Sequence, residues 1–257
     1  MISRRDIINW SVEHPWQEQD QIEQDLLLSQ AICEIASDEL LAEELALRGG
    51  TAFHKLFLEK PLRYSEDLDY VRTTAGGIGE VTGRLLDIGK RLGYTVSSKM
   101  GMYPKVLWRY IADSGLNAKI KIEINTYERE PVRGFQTPAH SVLSPYYHNT
   151  VRVRTFFTEE LMATKIRALY QRAKGRDLFD LWLALTELKI NAADVVDIFS
   201  AYRPPDLTSE EAIKNLRKKL DMASYVKDTA NLLRNDAPVY DPIAAGEIVI
   251  SNLLSAL

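Results

Sequence analysis

Two acidic residues one position apart, Asp67 and Asp69, are the clearest chemical signal in this chain. They alternate with Leu68 and Tyr70, and on a β-strand side chains two positions apart share a face. Paired carboxylates on one face offer hard oxygen donors of the kind Mg2+ takes. Upstream lies Gly49-Gly50-Thr51, ahead of a stretch with helical patterning. Glycines without a Cβ let backbone approach a phosphate closely. A helix that follows them aims its first N–H groups at the same point. Thr51 adds a hydroxyl to such a cradle, and also suits the cap of a helix over residues 52–58. Ser65, just before the acidic pair, is placed either to touch a phosphate or to cap a turn. A phosphate cradle followed closely by a metal site implies nucleotide chemistry. Transfer at a phosphate is the kind of reaction in which two Mg2+ ions about 4 Å apart steady the attacking and leaving oxygens.

Two ions call for a third carboxylate from a neighbouring strand, and Glu123 is the residue placed to supply it. Over residues 118–127, Lys119, Lys121, Glu123 and Asn125 point one way while Ile120, Ile122 and Ile124 point the other. The plain alternative is a solvated Glu123 paired with Lys119 or Lys121. Four widely spread histidines argue against a zinc site, and His54, on the helix after the glycines, reads either as an acid/base group or as a partly buried structural histidine.

The elements that must position these groups follow from periodicity and breakers. Ser3 with Asp6 forms a capping box for a short helix through Trp10. Apolar positions predict one long helix from Trp16 to about Leu41. The glycine-rich stretch at 74–79 lacks a following Asp-x-Asp strand and reads as a connector. Residues 80–92 suit an amphipathic helix closed by Gly93. Strands are expected over residues 94–99, 105–111 and 118–127, extending the sheet as a meander, with a loop over 130–145. Thr158 suits the cap of a helix that Gly175 ends, and Arg176 opens the next. The remainder is helical, broken by prolines. The fold class is therefore α+β or α/β: a mixed β-sheet lobe flanked by helices over residues 1–155, then an all-helical C-terminal lobe over residues 156–257.

The chain's 257 residues carry 32 Lys+Arg against 36 Asp+Glu, a formal net charge of -4. A strongly basic nucleic-acid binder is excluded, so contact with RNA requires a local patch. Lys99, Lys105, Arg109, Lys119, Arg152 and Arg154 are the candidates for one. The single cysteine, Cys33, excludes an intramolecular disulfide and a cysteine zinc cluster and suits a buried thiol. No apolar run is long enough to span a bilayer, and the polar start lacks a signal-peptide core. A cytoplasmic protein with no membrane partner is expected.

Gly-Gly, a short helix and Asp-x-Asp resemble the mark of the nucleotidyltransferase superfamily. The longer string GGTAFHKLF…RYSEDLDYV resembles AbiEii/AbiGii-type toxins of bacterial toxin–antitoxin and phage-defence systems. A second string, ELMATKIRALYQRAKGRDLFDLW, is similar to the second signature of that family. The resemblance implies that Lys165 and Asp177 face the nucleotide, which sits between the lobes where Asp67, Asp69 and Lys165 converge. Lys165 then neutralises triphosphate charge, and Asp177 orients Lys165 or the incoming substrate. Arg172 and Arg176 add phosphate contacts, and Asp180 supports a helix start. The family more often has aspartate where this chain has Glu123. The resemblance also implies an AbiEi-like antitoxin partner and transfer to an RNA such as the 3′ end of a tRNA. Two other functions remain open: modification of a small molecule such as an aminoglycoside, and a catalytically silent nucleotide-binding module. Retention of Gly49, Gly50, Asp67 and Asp69 argues against the silent module.

Overall fold

The structure, a computed structural model, describes residues 2–257. It divides into two compact units, Met1–Phe156 and Phe157–Leu257.

The first unit opens with helices. α1 (Arg4–Ser11) begins at Ser3, whose side chain and that of Asp6 each bond the other's backbone N–H. The single helix expected over residues 16–41 is two, α2 (Gln19–Ala36) and α3 (Glu39–Glu44). The break comes at Ser37-Asp38, because the Asp38 carboxylate caps α3 by accepting from Leu41 N at 3.1 Å. Short polar side chains bind nearby backbone N–H groups better at a helix start than in its middle.

β1 (Leu45–Arg48), α4 (Gly49–Leu56), β2 (Asp67–Arg72) and α5 (Gly79–Arg91) follow. Next come β3 (Thr95–Lys99), β4 (Lys105–Ile111) and β5 (Asn117–Asn125). The stretch expected as a loop over 130–145 contributes β6 (Phe135–Gln136) and β7 (Ala139–Leu143). β8 (His148–Arg152) pairs with β7 as a separate ribbon, and β9 (Thr155–Phe156) closes the unit. The main sheet has the order β3-β4-β5-β2-β1-β9-β6. β3, β4 and β5 form the expected antiparallel meander, but β5 then lies parallel to β2, while β2 is antiparallel to β1.

One face of this sheet is apolar. Leu68, Tyr70, Trp108, Ile120 and Ile122 are buried, and α5 packs against β3 and β4 while α2 reaches β5. Trp108 Nε1 donates to Leu85 O of α5 at 3.0 Å. A Cβ at Gly89 would sit 2.6 Å from that indole, so the helix comes this close only with glycine there. The opposite face carries the odd-numbered polar residues of β4 and β5. Beneath the helices, Lys55 Nζ meets Asp25 Oδ1 at 2.7 Å and Ser29 Oγ at 2.8 Å, and Trp10 Nε1 donates to Asp25 Oδ2 at 2.9 Å. Burial alone would raise the Asp25 carboxyl, but the charges of Lys55 and His14 and the hydrogen bonds from Lys55 and Trp10 together lower it. This buried pair fixes the end of α4 against α2.

The second unit consists of α6 (Thr158–Gln171), α7 (Gly175–Thr186), α8 (Ala192–Phe199), α9 (Ser209–Leu220), α10 (Ala223–Val226) and α11 (Pro242–Asn252). Thr158 is the first residue of α6 rather than its cap, which is Phe157 without a side-chain bond. Gly175 opens α7 instead of ending α6; a Cβ there would lie 2.4 Å from Tyr225 O. Among the described residues no helix is long and apolar enough to cross a membrane.

His140 of β7 is buried, and that burial pushes its imidazole down from 6.5 to about 4. It is neutral in the folded chain, while an unfolded chain protonates it from its ordinary value. Folding stability from this residue is therefore present above about pH 6.5 and is lost as pH falls towards 4. Urea melts across that window should show the wild type losing about 3 kcal/mol more than His140→Gln; parallel pH profiles would contradict this.

Candidate active site

Gly49 has φ +75, and a Cβ there would lie 2.9 Å from Asp69 Oδ2. A Cβ at Gly50 would meet Arg63 Nη2 at 2.2 Å. The first glycine thus leaves room for the acidic strand and the second for a buried guanidinium. Arg63 escaped sequence reasoning; its only signal was a basic residue just ahead of Ser65. α4 starts at Gly49, not at residue 52, so Thr51 does not cap it. The Thr51 hydroxyl instead lies 2.5 Å from Asp67 O and 2.9 Å from Ser65 Oγ. Thr51 and Ser65 therefore tie the first turn of α4 to the start of β2.

The parallel pairing of β2 and β5 sets Asp67 opposite Lys121 and Asp69 opposite Glu123. Directly opposed residues share a face, so Asp67, Asp69 and Glu123 all lie on the side away from α2 and α5. Antiparallel pairing adds Arg48 of β1 opposite Asp69. Lys121 Nζ holds Asp67 Oδ2 at 2.8 Å, and Lys105 Nζ holds Glu123 Oε2 at 2.8 Å. Lys121 also reaches Glu123 Oε2 at 3.9 Å, the expected pairing, and Lys105 adds the closer contact. Arg48 Nη1 reaches Glu128 at 2.6 Å. Burial raises the Asp69 carboxyl, as do the charges of Asp67 and Glu123, against Arg48 and Lys121. Burial works against the Lys121 ammonium, but its hydrogen bond to Asp67 and the surrounding carboxylates raise it overall.

With lysines on Asp67 and Glu123, no three His, Cys, Asp or Glu side chains among the described residues are gathered as a metal-holding cluster. The donor chemistry nonetheless fits a hard divalent cation. The three groups are carboxylates, and Asp69 is raised first by burial and then by the charges of Asp67 and Glu123, a repulsion that a cation would relieve. A groove of about 660 Å3 adjoins Asp67, lined among others by Gln24, Glu66, Arg109, Lys119 and Lys121. Of the basic candidates, Arg152 lies on the β7–β8 ribbon, donating to Thr137 O at 3.0 Å. Arg154 stacks over Phe135 and donates to Glu43 O. Arg152 thus lies off the main sheet, whereas Arg154 stacks on Phe135, whose strand partner Phe156 lies under Arg48, the neighbour of Asp69.

In the second unit Lys165 is buried, only 6% exposed. Its Nζ lies 3.0 Å from Asp177 Oδ1 and 2.8 Å from Asp180 Oδ2, both carboxylates fully buried. Asp180, expected to support a helix start, is instead the second anion on Lys165, one turn of α7 beyond Asp177. Arg172, expected at a phosphate, binds Asp177 through Nε at 2.7 Å and Nη2 at 2.8 Å. Burial favours a neutral Asp177, but Lys165 and Arg172 outweigh it and lower the group. The Arg176 backbone N–H donates to Asp228 Oδ2 at 3.2 Å.

Two ordered blocks, one with glycines and carboxylates and one with a buried lysine between aspartates, now stand in known geometry. The sequence profile of the nucleotidyl transferase AbiEii toxins of type IV toxin–antitoxin systems matches residues 30–242. The chain belongs to the AbiEii family. It is accordingly a nucleotidyltransferase, and the matched span contains both blocks. Among solved structures, JHP933 from Helicobacter pylori is 20% identical, covers 93% of each chain and superposes with a TM-score of 0.57. MenT4, a nucleotidyltransferase toxin from Mycobacterium tuberculosis, is 18% identical over 100% of this chain and 91% of its own, with a TM-score of 0.62. At these identities the likeness establishes a shared fold. No curated protein matches in sequence.

Gly49→Ala forces a Cβ into left-handed backbone and against Asp69, and should lower folding stability by about 1–2 kcal/mol in chemical melts; an unchanged midpoint would show that the turn adapts. Lys165→Ala leaves Asp177 and Asp180 buried without their shared cation. A loss of about 3–5 kcal/mol is expected, and a loss under about 1 kcal/mol would mean that the aspartates take up protons or water instead.

Proposed function

We propose that this AbiEii-family enzyme moves a nucleoside monophosphate from a nucleoside triphosphate onto the 3′ hydroxyl of an RNA, with the 3′ end of tRNA as the acceptor. The observation that supports it most is the register of β2 and β5, with Asp69 facing Glu123 beside the Gly49 turn.

The first N–H groups of α4, around Gly49, Gly50 and Thr51, orient the phosphates, with Ser65 bracing that turn. The acceptor oxygen bonds the α-phosphorus as the bond to pyrophosphate breaks, and the hydroxyl proton passes to the Glu123 carboxylate. Asp67, Asp69 and Glu123 would hold Mg2+, two ions in the full site, which supplies charge neutralisation at the phosphoryl oxygens. Lys105 and Lys121, which hold Glu123 and Asp67, place two further positive charges beside the phosphates. Lys165 is the further cation for the triphosphate, oriented by Asp177, with Arg176 as an added phosphate contact. The family's type IV system supports an AbiEi-like antitoxin as partner and a cytoplasmic role in phage defence. An aminoglycoside-type acceptor is the alternative; the acidic lining that a cationic drug needs is matched in the groove by Arg109, Lys119 and Lys121.

The test incubates pure protein with each labelled triphosphate, Mg2+ and total tRNA. Label should pass to tRNA, and Asp69→Asn should cut the rate at least 100-fold while keeping the wild-type circular dichroism spectrum. Equal transfer by the two proteins would refute the mechanism, and labelling of aminoglycosides but not RNA would install the alternative.

A further inference from the structure

The sheet face bearing the carboxylates is cationic beyond them. Lys99 faces Lys105 across β3 and β4, and Arg109 faces Lys119 across β4 and β5. Like charges directly opposite on neighbouring strands repel and weaken the sheet, yet this face carries two such pairs. Lys99, Arg109 and Lys119 are exposed. The Lys99–Lys105 pair stands next to Glu123 through the 2.8 Å contact of Lys105.

Beyond that pair, two loops present aromatic rings. Tyr103 and Tyr127 meet edge to face, with centroids 6.1 Å apart and planes at 79°. They remain 41% and 65% exposed, although large rings ordinarily seek cover. Their stems are fixed: Ile124 N donates to Pro104 O at 2.9 Å, and Tyr127 N donates to Asn125 Oδ1 at 2.8 Å. The residue after Tyr127, Glu128, is bound to Arg48, which lies opposite Asp69. The ring pair is thus tethered at the rim of the carboxylate site, on the side of Lys99 and Lys105.

Exposed rings beside a row of cations are the combination that takes up an unpaired nucleotide, its base stacked and its phosphates neutralised. From this we infer that Tyr103 and Tyr127 form a stacking platform for the last bases of a single-stranded RNA end, with Lys99 and Lys105 on its phosphates. This rests on the proposed transfer to RNA and adds how the acceptor is held: by its unpaired end, entering past β3 and β4. Paired bases have their faces covered and do not stack there, so a blunt duplex is a poor ligand. The groove at Arg109 and Lys119 lies at the opposite end of β5 and is not the entry.

Binding of a 5′-labelled single-stranded RNA oligonucleotide, followed by fluorescence anisotropy without triphosphate, reads the platform independently of catalysis. The Tyr103→Ala/Tyr127→Ala protein should bind it about tenfold or more weakly. Lys99→Ala should reduce the salt dependence of binding by somewhat under one unit of log–log slope. A blunt duplex of the same sequence should bind poorly to the wild type. In the transfer assay the KM for RNA should rise with the double variant while the KM for triphosphate holds. Unchanged RNA affinity and acceptor KM would overturn the inference, as would a shift in triphosphate KM alone, which would assign the rings to the nucleotide's base. A stronger effect from Arg109→Ala/Lys119→Ala than from the tyrosine pair would overturn it by placing entry at the groove. Unchanged RNA binding with loss of a self-associated species in sedimentation would give the patch to a second copy of the chain. If the wild type binds RNA through the rings but labels none, the transfer reaction fails and the platform stands.

Discussion

Like-charge repulsion on one sheet face is the constraint around which the first unit is arranged. Asp67, Asp69 and Glu123 share that face because β2 and β5 run parallel in a register that opposes Asp69 to Glu123. Three carboxylates so close would drive the strands apart or take up protons. Lys121, Lys105 and Arg48 on the adjoining strands supply the opposite charge. Asp69 nonetheless stays raised, first by its burial and then by the charges of Asp67 and Glu123. A site poised in this way keeps its strands together while leaving an electrostatic demand that a divalent cation can meet.

The glycine turn and the acidic strand form one mechanical unit. Asp69 occupies the space a side chain at residue 49 would need, and the Arg63 guanidinium does the same at residue 50. Thr51 and Ser65 join the two pieces by hydroxyl contacts, and the buried Lys55–Asp25 pair anchors the far end of α4. The first turn of that helix is thereby held at both ends, which is what preorganised phosphate binding requires.

The second unit answers a different electrostatic problem. Asp177 and Asp180 are both fully buried on α7, and such a pair is tolerable only with cations at hand. Lys165 serves both carboxylates and Arg172 serves Asp177. The position of a lysine clamped in this way is set by two partners rather than by its own flexible stem.

The sequence by itself determined the local matters. Period-two alternation marked β4 and β5, capping residues marked α1, and the order of glycines, helix and Asp-x-Asp marked the family to which the chain belongs. These are legible because each depends on residues a few positions apart. Where local signals competed, the reading slipped. Trp16 to Leu41 looked like one helix because apolar spacing runs through the Asp38 cap, and Gly175 looked like a terminator because glycine serves both roles. Tertiary structure alone decided that β5 pairs parallel with β2, that Glu123 meets Lys105, that Arg63 lies behind Gly50, and that Asp180 is a partner of Lys165. Strand register and buried ion pairing join residues far apart in the chain, and their energies depend on distance and burial, which no spacing along a single sequence records.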